Sequence, residues 1–388
     1  MPFEFCLYRA DDTVTPADLR WQWSMPMERM EILGAVPPHD TDHRPTVGDY
    51  FSAVVAFLDG PARKPLLGAL AHRQKPSATL NPFPVRITLE KHGALYHPAR
   101  VEIATQSETA AFAVNVALSD PGAAALRREY HTLARLGAKT TRTYLPAVYA
   151  LADHKTARWP MFMAQWLDGY HEFHLSQRPD HTLGIKLWRP SGPSFLSPVQ
   201  AVELYRQAAY VLTRFYDPFS FKQIFPWHMA AGDFVVGVRS QTLNLRMITA
   251  RAYQPLIDGT PANSFHAILE GLLDFFLHMT LRLRLDRLDG TGPLVWAPAC
   301  ALEGAVVGFF EAVGRLAVED PRLEDLPLAI AYALSRLSPS QFEERLAAIC
   351  TAWAPATTET SFLVSRLKAH ANNLGEVLSP FFIDKSTR

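Results

Sequence analysis

Apolar and polar positions alternate with a period of two in three stretches of the first half of the chain: Val85-Arg-Ile-Thr-Leu, Ala99-Arg-Val-Glu-Ile and Phe112-Ala-Val-Asn-Val. Successive side chains of a strand point to opposite faces, so the alternation predicts short antiparallel strands over 85–91, 99–105 and 111–118. Turn residues separate them at His92-Gly93, Pro98 and Gln106-Ser-Glu. Asp120-Pro-Gly then opens a helix with Leu126, Tyr130, Leu133 and Leu136 on one face and Gly137 as its stop. Two further strands are predicted over 144–151 and 160–166. From residue 84 to 169 the predicted order is strand, strand, strand, helix, strand, strand.

On either side the period changes. Residues 1–83 read as an N-terminal extension, irregular and rich in Pro and Asp around 35–45. A helix over 47–58 follows, with Tyr50, Phe51, Val54, Val55 and Leu58 at helical spacing, and a second over 65–72 after the Gly60-Pro61 break. Beyond 195 helices are predicted over 198–216, 264–285, 300–317, 327–336, 339–353 and 360–373. They are interrupted by an island over 227–253, in which Asp233-Phe-Val-Val-Gly-Val, a turn at Ser240-Gln241 and Leu243-Asn-Leu-Arg-Met-Ile form a hairpin. The chain therefore reads as three segments, 1–83, 84–169 and 170–388.

Composition narrows the function classes. The 388 residues carry 38 Lys and Arg against 38 Asp and Glu, so no global positive field gathers nucleic acid or an anionic membrane. The apolar runs at 305–312 and 327–334 fall short of the ~18 residues that span a bilayer. The start, Met-Pro-Phe-Glu-Phe-Cys, lacks a basic segment followed by an apolar one, and Cys6, Cys300 and Cys350 are odd in number and far apart. A cytoplasmic protein with isolated thiols is the expectation, with neither nucleic acid nor membrane as partner.

The element order resembles that of the two-lobed superfamily of protein kinases and aminoglycoside or fructosamine phosphotransferases, over about residues 84–350. Gly93-Ala-Leu-Tyr-His-Pro-Ala-Arg-Val101 is similar to a worn nucleotide loop. Asn115 in Phe112-Ala-Val-Asn-Val stands where the family has its phosphate-pairing lysine, and Glu129 in Arg127-Arg-Glu-Tyr is the matching helix carboxylate. Phe162-Met-Ala-Gln-Trp-Leu-Asp-Gly169 resembles the hinge between the lobes. Pro226-Trp-His-Met-Ala-Ala-Gly-Asp-Phe-Val-Val236 resembles the phosphotransferase loop, with Asp233 at a metal-binding position, His228 in place of the catalytic aspartate, and Thr249 in place of the second metal aspartate.

The resemblance implies an α+β fold: a small antiparallel-sheet N-lobe, a mainly helical C-lobe and the helical extension. It implies ATP and Mg2+ as cofactors, with Gly93, Val101, Asn115, Ala164 and Trp166 at the nucleotide, Asp233 at the metal, His228 as general base and Glu129 orienting a cation. The expected function is an ATP-dependent phosphotransferase with a small-molecule acceptor and a partly degenerate site. Lys91, Arg251 or Lys186 would supply the missing positive charge. The alternative is a pseudokinase, a nucleotide- or protein-binding module with a protein partner, favoured by Asn115 and Thr249 together. An unrelated α+β fold would reveal itself in strands between 85 and 118 that do not pair in sequence.

Plainer readings stand beside these. A loop Asp often only caps backbone N–H groups, and a Glu among arginines on a helix is often a solvated ion-pair partner. The aromatics Phe225, Trp227 and Phe234 fit a core. His92, His97, His171 and His174 fit exposed positions, although the i, i+3 spacing of His171 and His174 would suit two metal ligands on a helical face. The run 281–287 reads as the solvated end of a helix.

Overall fold

The computed structural model describes residues 2–8, 11–26, 44–73, 84–93, 95–104, 109–138, 144–153, 155–229, 232–256, 261–353 and 357–383. The Pro- and Asp-rich stretch up to residue 43, Ala94, the turn at 106–108 and Ala230-Ala231 lie outside them. The chain is mixed α+β and divides into two compact units, Met1–Asp168 and Gly169–Arg388.

The first unit is built on a seven-stranded sheet. Strands β3 (Val85–Leu89), β4 (His97–Ala104) and β5 (Thr109–Val116) pair antiparallel in sequence, as their alternation predicts. Helix α3 (Asp120–Gly137) intervenes before β6 (Val148–Ala152) and β7 (Met161–Gln165), and β7 pairs with both β5 and β6. Two strands were not foreseen. β1 (Phe3–Leu7) runs parallel to β3 at its edge, and β2 (Thr13–Val14) pairs with β1, so the extension contributes sheet as well as helix. Five residues hold too few alternations to mark a strand that is completed only by a distant partner.

One face of this sheet is apolar. It carries Ile87, Leu89, Ala99, Val101, Phe112, Val114, Met161 and Met163, and α1 (Val47–Asp59) and α2 (Arg63–Arg73) cover it. α1 starts on a capping box between Thr46 and Asp49 and buries Tyr50, Phe51, Val54, Phe57 and Leu58. Phe5, Trp21 and Phe51 meet with ring centroids 5.0–5.8 Å apart. α3 belongs to the other face, where Tyr130 tilts against Phe162 at 5.9 Å. Its buried stripe is Leu126, Glu129, Leu133 and Leu136, so a carboxylate occupies the place expected for Tyr130.

The second unit holds four small sheets and most of the helices. β9 (Phe173–Gln177), β10 (Leu183–Leu187) and β11 (Ser194–Phe195) form one sheet, over residues for which no element was predicted. β12 (Lys222–Ile224) pairs with β15 (Tyr253–Pro255). The expected hairpin is β13 (Phe234–Arg239) and β14 (Thr242–Met247), and β8 (Tyr170–His171) joins it. Ser240 and Gln241 both have positive φ, the turn geometry that suits the twist of two strands.

α4 (Pro198–Arg214) and α6 (Cys300–Glu319) are in intimate contact, because Gly304 and Gly308 let their backbones approach. α5 (Phe265–Leu283), α7 (Leu326–Arg336), α8 (Pro339–Trp353), α9 (Thr358–Val364) and α10 (Leu367–Ile383) complete the unit. Two expectations are corrected here. The helix predicted over 360–373 is two helices broken at Ser365-Arg366. The run 281–287 is not a solvated helix end: Arg282, Arg284 and Asp286 are buried, and β16 (Leu285–Arg287) pairs with β17 (Leu294–Trp296). Among the described residues no helix is long and apolar enough to cross a membrane.

Candidate functional site

The loop between β12 and β13 carries the two candidates on which the phosphotransferase resemblance turns. Trp227 and Phe234, both fully buried and edge-to-face at 5.9 Å, anchor its two ends. Asp233 directly precedes β13, and its carbonyl accepts from the Ile248 amide at 2.8 Å, which ties it to the end of β14. Its side chain is 1% exposed. Arg251 grips both oxygens, Nη1 to Oδ2 and Nη2 to Oδ1 at 2.6 Å each, and the His228 amide donates to Oδ2 at 2.8 Å. A carboxylate has about four acceptor positions. Three are taken, and the guanidinium supplies the neutralising charge that a cation would otherwise bring.

Asp233 therefore does not fit the part of a divalent-cation ligand. Such an ion needs several free oxygens, and the second position of the family pattern offers only the buried hydroxyl of Thr249. Arg251, one of three candidate sources of positive charge, is brought to Asp233 and neutralises it. Lys186 has a different partner: it donates to Asp289 at 2.8 Å and lies 4.4 Å from the Trp188 ring centre.

His228 meets a residue that carried no sequence signal. Its Nε2 lies 2.9 Å from Oε2 of Glu359, in the first turn of α9. Arg287 stands 3.6 Å from the other carboxylate oxygen. Arg282, 6% exposed, donates to the Trp227 carbonyl at 3.1 Å, and its charge acts on both Glu359 and Asp233. Burial pushes the Arg282 guanidinium down to about 10. The hydrogen bond to His228, and then the charges of His228, Arg282 and Arg287, hold the Glu359 carboxyl at about 2.

In the first unit, Gly93 is required by the loop itself. A Cβ there would stand 2.4 Å from the Tyr96 carbonyl oxygen, so only glycine lets the turn close. A polar chain fastens the turn: the Tyr8 hydroxyl is 2.8 Å from Nε2 of His92, whose Nδ1 is 3.1 Å from Nδ1 of His97. His97 also bonds the Pro26 backbone, which as a proline can only accept. Burial, assisted by the neighbouring His92, pushes His97 down to about 4, and burial lowers His92 too.

Glu129 is 1% exposed rather than solvated, and its carboxylate accepts a hydrogen bond from the Tyr96 hydroxyl at the end of the same loop. The remaining candidates divide between the two faces of the sheet. Asn115 lies opposite Pro98 and Phe162, and Ala164 opposite Ala113, which in turn pairs with Arg100, so these share one face. Val101 pairs with Phe112 on the other face, buried in the apolar core under α1 and α2. Val101 thus cannot line a pocket together with Asn115 and Ala164. The residue on their face is Arg100, whose guanidinium lies 5.2 Å over Trp166 and 2.8 Å from Glu102.

The proposed histidine pair is corrected as well. His171 ends β8 and His174 sits in β9, so no helical face carries both, and His174 Nδ1 is 3.4 Å from Asp286. Among the described residues no group of three His, Cys, Asp or Glu side chains is placed to hold a metal ion. Glu359, Arg282, Arg287, Tyr96 and Arg100 escaped the sequence reading. Apart from Arg100, whose partner Glu102 is two residues on, their partners lie tens of residues away; Arg282 and Arg287 stand inside one run already singled out and Tyr96 and Arg100 inside another, Gly93–Val101, so only Glu359 gave no local signal. Comparison with known proteins finds no family model that matches this chain and no matching curated protein.

Proposed function

We propose that this chain is a pseudokinase-type binding module: a kinase-like fold that holds nucleotide without metal, or a protein partner, and does not transfer phosphate by the metal-dependent route. Support for the fold comes from three strands that pair in sequence, a helix bearing a buried glutamate, two further strands, and then a largely helical unit with a loop and hairpin. Support for the loss of chemistry is carried by one observation, the capture of Asp233 by Arg251 and the His228 amide. Phosphoryl transfer relies on positioning and on cations that neutralise developing charge, and Asn115 adds no charge where the family has lysine.

The test is the thermal shift of the pure protein with a nucleotide panel, each run with magnesium, manganese or EDTA. Any nucleotide shift is expected to be the same in EDTA as in magnesium, and no γ-phosphate is released or transferred. A ligand at about 100 times its dissociation constant stabilises by about 2.7 kcal/mol, so binding of that strength is visible as a shift. A shift that needs nucleotide and metal together overturns the proposal. It would select the second reading, an atypical phosphotransferase with a small-molecule acceptor. The contact that favours this second reading is Glu359 on Nε2 of His228, which orients the imidazole as a general base.

A further inference from the structure

Phe221 stands just ahead of β12 with φ 58°, a left-handed backbone that is strained for a bulky residue and free for glycine. The turn that imposes it is tied on both sides. The Asp217 carboxylate accepts from the Phe219 amide at 3.0 Å and from the Ser220 hydroxyl at 2.6 Å, and the Asp217 amide donates to the Lys222 carbonyl at 2.8 Å. Glycine would make this turn more readily, so the ring of Phe221 serves something other than the turn, and its contact is α5. A Cβ at Gly271 would stand 2.5 Å from Cε1 and 2.6 Å from Cδ1 of Phe221, so the missing side chain leaves a notch that the ring edge fills. The same point lies 3.0 Å from the Tyr216 hydroxyl. Tyr216 is 3% exposed, its ring stacks on Phe275 with centroids 4.4 Å apart, and its hydroxyl has no hydrogen-bond partner among the described residues. A buried hydroxyl costs free energy unless a partner answers it, and the phenyl ring beside it has no polar atom to offer.

The geometry points to a binding site for a small neutral phenol at the Gly271 notch, bounded by the Tyr216 hydroxyl and closed in this state by the Phe221 ring. The resident sets the shape of the guest: an aromatic ring of the same size, with a hydroxyl added to bond Tyr216. Neutrality follows from the surroundings. Asp217 and Asp274, the latter paired with Arg345, both act on the Tyr216 phenol, and a carboxylate on the guest would meet their charge. Phe221 is only partly covered, so its side chain can rotate towards water while the ties of Asp217 hold the backbone. The site lies within the second unit and uses none of the residues of the His228 loop, so it does not rest on the nucleotide reading.

The test titrates the full wild-type chain with phenol, toluene and benzoate by NMR at pH 7. Phenol should bind saturably, with Overhauser contacts from its ring protons to the Gly271 Hα. It should bind about fivefold more tightly than toluene, the gain of one hydrogen bond to a buried group, and benzoate should bind more weakly than either. Tyr216→Phe removes only the orphaned hydroxyl and should bring phenol and toluene to equal affinity. Phe221→Gly suits the left-handed turn and leaves the notch open. It should tighten phenol about tenfold or more, because the wild type binds only in the fraction of molecules whose ring has swung out. No saturable binding to the wild type, binding confined to Phe221→Gly, or a phenol preference that survives Tyr216→Phe overturns the proposal. An affinity unchanged in Phe221→Gly, or benzoate bound as tightly as phenol, overturns it equally. Should Phe221→Gly fail to fold, the wild type and Tyr216→Phe decide the matter between them.

Discussion

Arg251 and Asp233 face one another fork to fork, two 2.6 Å hydrogen bonds joining a carboxylate sealed from water to a guanidinium three-quarters covered. Removing one partner of a buried pair strands the other, at a cost of about 3–5 kcal/mol. Arg251→Ala should destabilise the protein by that order in urea unfolding. The double change Asp233→Leu with Arg251→Met removes both charges and should cost far less than either truncation alone. A double-variant loss equal to the sum of the two single losses would show that the residues act independently rather than as a pair.

Tyr96 and Glu129 form the second such link, in the first unit. Deleting the hydroxyl in Tyr96→Phe withdraws a donor from a carboxylate that burial keeps from water. The expected loss is about 1–3 kcal/mol. Glu129→Gln carries no buried charge and should lose less when Tyr96→Phe is added to it. A double-mutant cycle with no coupling between the two positions would count against the contact.

Glu129 also shows how far a sequence carries. Positions 126, 129, 133 and 136 stand three and four apart, so the heptad arithmetic that marks Leu126, Leu133 and Leu136 as buried marks Glu129 too. The glutamate was legible as an anomaly and was read instead by its type. Strand pairing over 85–116 and the 234–247 hairpin were legible because alternation is local. Face assignment across strands was not legible in this way: Val101 and Asn115 differ in parity through their partners Phe112 and Pro98, and only a pairing register reveals it. Glu359 was not legible. It lies 131 residues from His228, and nothing in the sequence near either marks the contact.

The chain Tyr8–His92–His97 predicts a specific acid sensitivity. His97 is lowered to about 4 in the fold against an ordinary 6.5, so between these values the unfolded chain binds a proton that the folded protein refuses. The associated stability is fully present above about pH 6.5 and is lost as the pH falls towards 4, a change of about 3 kcal/mol at most. Glu359, held at about 2, adds its own loss only below its ordinary range near 4.5. His97→Gln, compared with wild type by urea unfolding at steps from pH 7 to pH 5, should show a distinctly flatter dependence. Parallel curves would mean that His97 titrates alike in both states.

The helix pair α4 and α6 provides a matched comparison within one element. A Cβ at Gly308 would stand 2.0 Å from the Arg206 carbonyl oxygen and 2.8 Å from its carbon, both backbone atoms that no rotamer can move. At Gly314, in the same helix, nothing lies within 4 Å of the added carbon. Alanine is favoured over glycine in a helix interior by up to about 1 kcal/mol, so Gly314→Ala should raise the melting temperature. Gly308→Ala brings the same propensity gain but forces two backbones apart, and overpacking of this kind costs about 1–3 kcal/mol. The two substitutions should therefore move stability in opposite directions. If Gly308→Ala proved as stabilising as Gly314→Ala, α4 and α6 would have to lie farther apart than the 2.0 Å approach requires.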